Sequence, residues 1–381
     1  MTPHYPLFKV HVNSEEALEQ IKDVFSSGFI NEGVQVTQLT KELQALLRAK
    51  NLILTNSCTS ALTMALKLCG VEPGDDVIST PMTCVATNTP VVNLGAKVVW
   101  ADVDPQNGMI DPFDVINRIT ENTKAIIAVA WAGCPPSLFM LKKLCRALDI
   151  KLILDAAHAF GAAYRDDPVH EWADFTCYSF QAIKHFTTGD GGALVCSSDE
   201  DYAKSKALKW FGLDRDKTKN EKGDWKGQQW DVDIEEAGYK FNMNNVAAAI
   251  GLSQIKHVHG ILSTHVQNGL IYDLSLMNVE TVSLLRRPEG AQSTAWVYTL
   301  KVVPEKSKLS RDELLKALNA EGIMAGLVHV PNDEYTCFKD SKVDLPGVRE
   351  FSANQFSLPC GWWLTRDDVM HIVKRVKELT E

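Results

Sequence analysis

No run of apolar residues approaches the ~18 to 20 needed to cross a bilayer. The longest strongly apolar stretch, AIIAVAWAGC from Ala125 to Cys134, is short enough to read as a buried strand. The nine cysteines include no CxxC pair and are scattered through apolar contexts, which argues against a zinc site or a disulfide framework and for reduced, buried thiols. Basic residues are outnumbered: 39 Lys and Arg face 48 Asp and Glu, a net charge of −9. With no basic field, nucleic acid and anionic membranes are poor electrostatic partners. A GKS or GKT phosphate loop is missing, so nucleoside triphosphate binding is not expected. Low-complexity segments and internal repeats are missing too. The start, MTPHYPLFKVHVNSEE, lacks the charged and apolar regions of a secretory signal, and the protein is expected to reside in the cytoplasm.

What is there is a chain of 381 residues with 45% hydrophobic content, long enough for two domains, or for a large one with a smaller appendage. SEEALEQIKDVFSSG and VQVTQLTKELQALLRAK have amphipathic helical spacing. Seven short apolar pieces then alternate with helical ones: NLILT, DDVIST, AKVVWADV, KAIIAVAW, KLILDAA, FTCYSF and GALVCSS. This predicts an α/β layer around a largely parallel sheet buried on both faces. Residues 14–256 are assigned to this large domain. Residues 257–381 are assigned to a smaller α+β domain, with residues 1–13 packing nearby. In the smaller unit, strands are expected over 298–303 and 323–328, and helices over SRDELLKALNAEG and TRDDVMHIVKRVKELTE. The polar stretch 214–229, with Trp225 and four lysines, reads as a solvated loop or a flap.

Three motifs carry chemistry. KLILDAAH delivers Asp155 to the carboxyl end of an apolar strand, where open parallel sheets bind ligands. By itself this is equally a helix-capping aspartate, and His158 beside it is more often a packed, hydrogen-bonded histidine than a ligand. SFQAIKHFTTGDGG places Lys184 after another apolar run, where desolvation lowers an amine's pKa and makes it a nucleophile for carbonyls. By itself this is more often a solvated surface charge. TNSCTSAL runs from a strand into a helix whose first residues, among them Cys58 and Thr59, present N–H groups and hydroxyls suited to a phosphate. By itself this is equally a capped helix. Together they supply a phosphate anchor, a partner for a pyridinium nitrogen and a Schiff-base lysine, the three groups that hold pyridoxal 5′-phosphate.

Over nearly its whole length the chain resembles the DegT/DnrJ/EryC1/StrS family of sugar aminotransferases, which have the fold-type I architecture of aspartate aminotransferase. The matching segments include SSGFINEGVQVTQLTKEL, NSCTSALTMAL, PMTCVATNTPVVNLGAKVVWADVDP, ILDAAHAFGA, SFQAIKHFTTGDGGALV, GYKFNMNNVAAAIGL and FSLPCGWWLT. The resemblance implies that Lys184 carries the cofactor's aldehyde and that Asp155 pairs with its ring nitrogen. Thr59, the Cys58 backbone and the Ser179 hydroxyl would hold the phosphate, and His158 would lie near the ring oxygen. Cys84 stands where many members place an aromatic that stacks on the ring. The resemblance also implies a homodimer in which the GYKFNMNN segment, with Lys240 and Asn242, serves the partner's site.

The implied reaction moves an amino group from L-glutamate to a keto sugar, giving an amino sugar for glycan, lipopolysaccharide or secondary-metabolite synthesis. Among acceptors, a nucleotide-linked 4-keto-6-deoxy sugar leads, and a 3-keto sugar or an aldehyde sugar acid stays open. The sugar pocket is expected to draw on Phe29, Asn31 and Glu32, on the 214–229 stretch, and on His329, Asn332 and Asp333. A subset of the family puts histidine at the lysine position and dehydrates sugars. Here the histidine is the next residue, His185, and an adjacent side chain in an extended segment points the other way. A non-enzymatic regulator is the competing class, but it would be free to lose Lys184 or Asp155, and both are kept.

Overall fold

The computed structural model describes residues 4–214 and 233–381. The main sheet is built from β1 (Leu52–Thr55), β2 (Asp76–Ser79), β3 (Lys97–Trp100), β4 (Thr123–Val129) and β5 (Lys151–Asp155). After a small hairpin of β6 (Ala163–Tyr164) and β7 (Asp167–Pro168), β8 (Phe175–Ser179) and β9 (Gly192–Cys196) complete it. The spatial order is β1-β9-β8-β5-β4-β2-β3. Six of the seven main-sheet strands fall within the apolar pieces picked out in the sequence, and β4 starts one residue ahead of its piece, at Thr123.

Burial explains why these strands read so plainly. Along β4 and β5, Ile126, Ala128, Leu152 and Leu154 enter one core, while Ala125, Ile127 and Ile153 enter the core on the other face. Strands covered on both sides are apolar at every position rather than at every second one. β9 alone runs against its neighbours. A crossover helix is what returns a strand parallel to its predecessor, and between β8 and β9 there is only the lysine-bearing loop, residues 180–191.

The carboxyl ends of β2, β4, β5 and β8 therefore share one edge of the sheet with the start of β9. That edge is where a doubly wound sheet leaves a crevice for a ligand.

A second, antiparallel sheet joins β10 (Val282–Leu284), β12 (Tyr298–Val302) and β13 (Gln355–Leu358), while the short β11 (Ala291–Gln292) pairs with β6. The helices Val258–Leu276, Arg311–Ala320 and Arg366–Thr380 pack a separate core with this sheet around Tyr272, Leu300, Leu314, Phe356 and Ile372. Ser310 and Thr365 each begin a helix with a reciprocal capping box, which fixes where the helices Arg311–Ala320 and Arg366–Thr380 start. The segment 323–328 is not a strand. It makes only isolated bridges, Ile323 with Tyr5 and Gly326 with Ser357, because no continuous partner runs beside it. Among the described residues, no helix is long and apolar enough to cross a membrane.

Candidate active site

Asp155 ends β5 and is buried, 4% exposed. Its carboxylate accepts hydrogen bonds from the Thr87 hydroxyl (2.7 Å) and the Ala157 N–H (3.0 Å). Thr87, in the first turn of the helix Val85–Asn93, is itself paired at 2.8 Å with Thr83, which lies just before that helix. Burial raises the pKa of this acid above the usual carboxylate value, while the two hydrogen bonds and the Lys184 amine pull it back down. The result is a buried carboxyl group held by two donors in a cavity it shares with the Lys184 amine.

The helix Cys58–Leu68 starts opposite it. Ser57 caps the helix by accepting from the Ser60 N–H at 3.1 Å, and the first N–H groups of a helix have no partner within it. Gly192 at the start of β9 lets that terminus approach. A Cβ built there falls 2.5 Å from the Cys58 nitrogen and 2.6 Å from the Ser57 carbonyl carbon, so only glycine fits. Gly192→Ala is expected to destabilise the protein by about 1–3 kcal/mol through overpacking. It should also weaken retention of a phosphate ligand, which thermal melting and cofactor titration would check. Ser179, buried at the end of β8, faces the same space.

Lys184 sits in a turn rather than in the extended segment expected from the sequence. Its N–H donates to the Gln181 carbonyl at 2.9 Å, and the Gln181 side chain accepts from the Ile183 N–H at 3.0 Å, which closes the chain locally. The Thr187 hydroxyl (3.1 Å) and the Thr188 N–H (3.0 Å) both donate to the Phe180 carbonyl and pin the far side of the loop. Burial pulls the Lys184 amine down to about 8, against the opposing pull of Asp155, Cys58 and Cys84. His185 still points elsewhere: its Nε2 bonds to the Thr294 carbonyl at 3.1 Å.

Asp155, Lys184, Cys58, Thr59, Ser179 and Cys84 line one cavity of about 320 Å³. His158 and His329 line it too, with parallel rings 5.3 Å apart and their Nε2 atoms 3.4 Å apart. Burial, with Lys184 next in weight, holds both imidazoles well below their ordinary pKa, His329 down to about 3. The buried Nδ1 of His158 has no hydrogen-bond partner among the described residues, so a ligand group is its natural complement. Trp296 closes the wall, stacked on His158 at 4.0 Å between centroids. Neither Trp296 nor Thr87 was marked by the sequence; the Thr83–Thr87 helical spacing was the one available signal.

Other expected site residues lie elsewhere. Asn332 is a buried anchor: its amide donates to the Thr83 carbonyl at 2.9 Å and accepts from Asn88 at 2.9 Å, behind the cavity wall. Asp333 pairs with Arg349. Lys240 and Asn242 bond to each other at 2.5 Å, and Asn242 donates to Asn31 at 3.1 Å, away from the cavity of their own chain. Glu32 pairs with Lys209 at 2.5 Å, and Phe29 is exposed. Of the 214–229 stretch, 215–229 lies outside the described residues. A wider groove of about 560 Å³ opens near Lys50 and Lys151, but these lysines are paired with Asp199 and Asp174. The cavity at the sheet edge is where the lysine, the carboxyl group and the helix N-terminus converge.

Residues 12–377 match the DegT/DnrJ/EryC1/StrS aminotransferase family. The solved structure of AtS13 from Actinomadura melliaura is 34% identical, with a TM-score of 0.91, covering 99% of this chain and 100% of that one. The sugar aminotransferase CalS13 from Micromonospora echinospora is 31% identical, with a TM-score of 0.89, covering 99% of this chain and 100% of that one. A putative sugar aminotransferase from Streptococcus pneumoniae in its PLP form is 26% identical, with a TM-score of 0.87, covering 99% and 98%. The similarity runs through the whole fold-type I architecture.

Proposed function

The chain belongs to the DegT/DnrJ/EryC1/StrS aminotransferase family, a family of pyridoxal phosphate-dependent sugar aminotransferases, and on that basis we propose that it moves the amino group of L-glutamate onto C4 of a nucleotide-linked 4-keto-6-deoxy sugar. The observation that carries the catalytic part is the presence, in one buried cavity, of an amine pulled down to about 8 and the carboxyl group of Asp155. When bound, pyridoxal phosphate supplies an aldehyde that accepts the amino group and a ring that takes up electrons.

The chain's residues have the remaining tasks. Lys184 Nζ holds the aldehyde and, once released, moves a proton to and from the amino-bearing carbon, as an amine that is partly neutral near pH 8 is able to do. Asp155, held in place by Thr87 and Ala157, would pair with the ring nitrogen and keep a proton on it. The N-terminus of the helix Cys58–Leu68, the Thr59 hydroxyl and the Ser179 hydroxyl hold the phosphate. His158 orients the ring through its free Nδ1, and Cys84 packs on it in place of an aromatic. His329 belongs to the sugar's side of the cavity. Residues 14–256 form the cofactor unit and 257–381 the smaller one.

A homodimer would put Lys240, Asn242, Phe29, Asn31 and Glu32 at the second copy's cavity, consistent with their lying outside their own. His185 is committed to the Thr294 carbonyl, which gives a histidine-based dehydratase no footing. The product amino sugar would serve glycan or secondary-metabolite assembly in the cytoplasm.

The test is a panel of keto sugars offered to enzyme first loaded by glutamate, with the cofactor spectrum as readout. Nucleotide-linked 4-keto sugars should restore the starting spectrum and 3-keto sugars should not. Loading by glutamate with no response to any nucleotide-linked sugar would refute the acceptor.

A further inference from the structure

Trp296 is the side chain most closely engaged with Lys184, and it is held with unusual care. The lysine Nζ lies 3.7 Å from the indole centroid. The same indole stacks on His158 at 4.0 Å and on Phe8 at 4.8 Å, and its Nε1–H donates to the Ile183 carbonyl at 2.9 Å, one residue before the lysine. An ammonium over an aromatic face is attracted most strongly where water is kept away, as it is in this buried cavity.

The backbone behind Trp296 carries strain. Ala295 has φ 47°, a left-handed conformation that costs a residue with a Cβ, and it faces Ala132 (φ 51°) and Gly133 (φ 97°) on the neighbouring turn. Two hydrogen bonds clasp these turns together: the Thr294 N–H donates to the Gly133 carbonyl and the Trp296 N–H to the Ala132 carbonyl, both at 3.0 Å. A Cβ on Gly133 would fall 2.9 Å from the Ala295 nitrogen, so the approach is as tight as glycine permits.

Two buried histidines complete the support. His185 Nε2 contacts the Thr294 carbonyl at 3.1 Å, and His265 Nδ1, from the helix Val258–Leu276, contacts the Ala295 carbonyl at 3.0 Å. A carbonyl only accepts, so each ring must carry its hydrogen on that nitrogen. The rings meet edge to face at 4.6 Å, and burial keeps both below the ordinary histidine pKa. His185 therefore links the lysine's own loop to the turn that presents the indole.

We propose that Trp296 is the positioning residue for Lys184, its indole face holding the lysine's ammonium whenever the amine is free of the cofactor, and that His185 and His265 brace the strained Thr294–Ala295 turn that puts the indole there. This rests on the reading of Lys184 as the cofactor-bearing lysine. The charged and titratable groups that share the cavity with the amine are the carboxylates Asp155 and Asp190, the thiols Cys58 and Cys84, and the imidazoles His158 and His329, while His185, next in the chain, faces away toward Thr294 but still feels the amine's charge. Substituting Trp296 removes none of these groups, although it uncovers the face of His158 on which the indole stacks.

The test uses enzyme loaded with pyridoxamine phosphate, which leaves the lysine amine free, and measures acetylation of Lys184 against pH by mass spectrometry. The indole favours the charged amine, so its removal must shift the titration midpoint downward. Trp296→Leu, which keeps an apolar wall, is expected to lower it by about one pH unit, with Trp296→Phe intermediate. His185→Ala is expected to follow Trp296→Leu in direction, and His185→Gln, which retains a donor, to stay near the parent. A midpoint that is unmoved or raised in both Trp296 variants overturns the proposal, whatever happens to their melting temperatures. His185→Ala leaving the midpoint unchanged overturns the brace. If pyridoxal phosphate proves to be bonded to another lysine, the underlying reading fails instead, and borohydride mapping reports that separately.

Discussion

Lys184→Ala is expected to lower transamination by about a thousandfold or more, since one side chain supplies both the cofactor's attachment and the proton transfer. The same variant should not be less stable at neutral pH, which separates this loss from misfolding. The amine's ordinary value is 10.5 and burial brings it to about 8 in the folded chain, so the native state holds fewer protons than the unfolded one between those values. Through this group, stability rises with pH across that window. Below it, burying the charged amine costs about 3 kcal/mol, less what the Trp296 face returns. Deleting the amine relieves that cost. A melting temperature at or above that of the parent, with turnover gone, is the expected pair of results at pH 7.

Asp155→Asn has the second-largest expected effect. The carboxylate is 4% exposed and lines the cavity with the lysine amine, while Thr87 and Ala157 both donate to it. An amide keeps the shape but loses the charge, and its NH2 must meet one of the two donors. As the proposed partner of the cofactor's ring nitrogen, Asp155 would form a buried ion pair with it, and breaking such a pair from one side costs about 3–5 kcal/mol, which corresponds to two to four powers of ten in rate if it falls on the transition state. Turnover should fall by at least about a hundredfold, and cofactor should bind more weakly. Unchanged steady-state rates would remove Asp155 from the mechanism.

How far the molecule could be read beforehand depended on the range of the forces involved. The seven main-sheet strands are covered on both faces, so each shows as an unbroken apolar run, and Asp155 and Lys184 stand out as the charged residues that follow two of them. The small sheet was harder. β10 and β13 have only three and four residues, and the 323–328 segment has β-like composition but no strand beside it. Least visible were residues whose roles depend on contacts distant in sequence. Trp296 and Lys184 are 112 positions apart in the numbering, and nothing local in QSTAWVYTL points to the lysine. Asn332 illustrates the converse: a polar residue near a site motif, it spends its hydrogen-bonding groups on Thr83 and Asn88 inside the fold. His185, beside the lysine, acquires its role only through the carbonyl of Thr294 and the ring of His265.

The central claim, that the cavity at the sheet edge holds the cofactor on one lysine, is tested most directly by borohydride reduction of the pyridoxal phosphate-loaded protein followed by peptide mapping. The account predicts a single phosphopyridoxyl group, on Lys184. A group on Lys240 or any other lysine, or a protein that binds the cofactor without any reducible bond to Lys184, would contradict it.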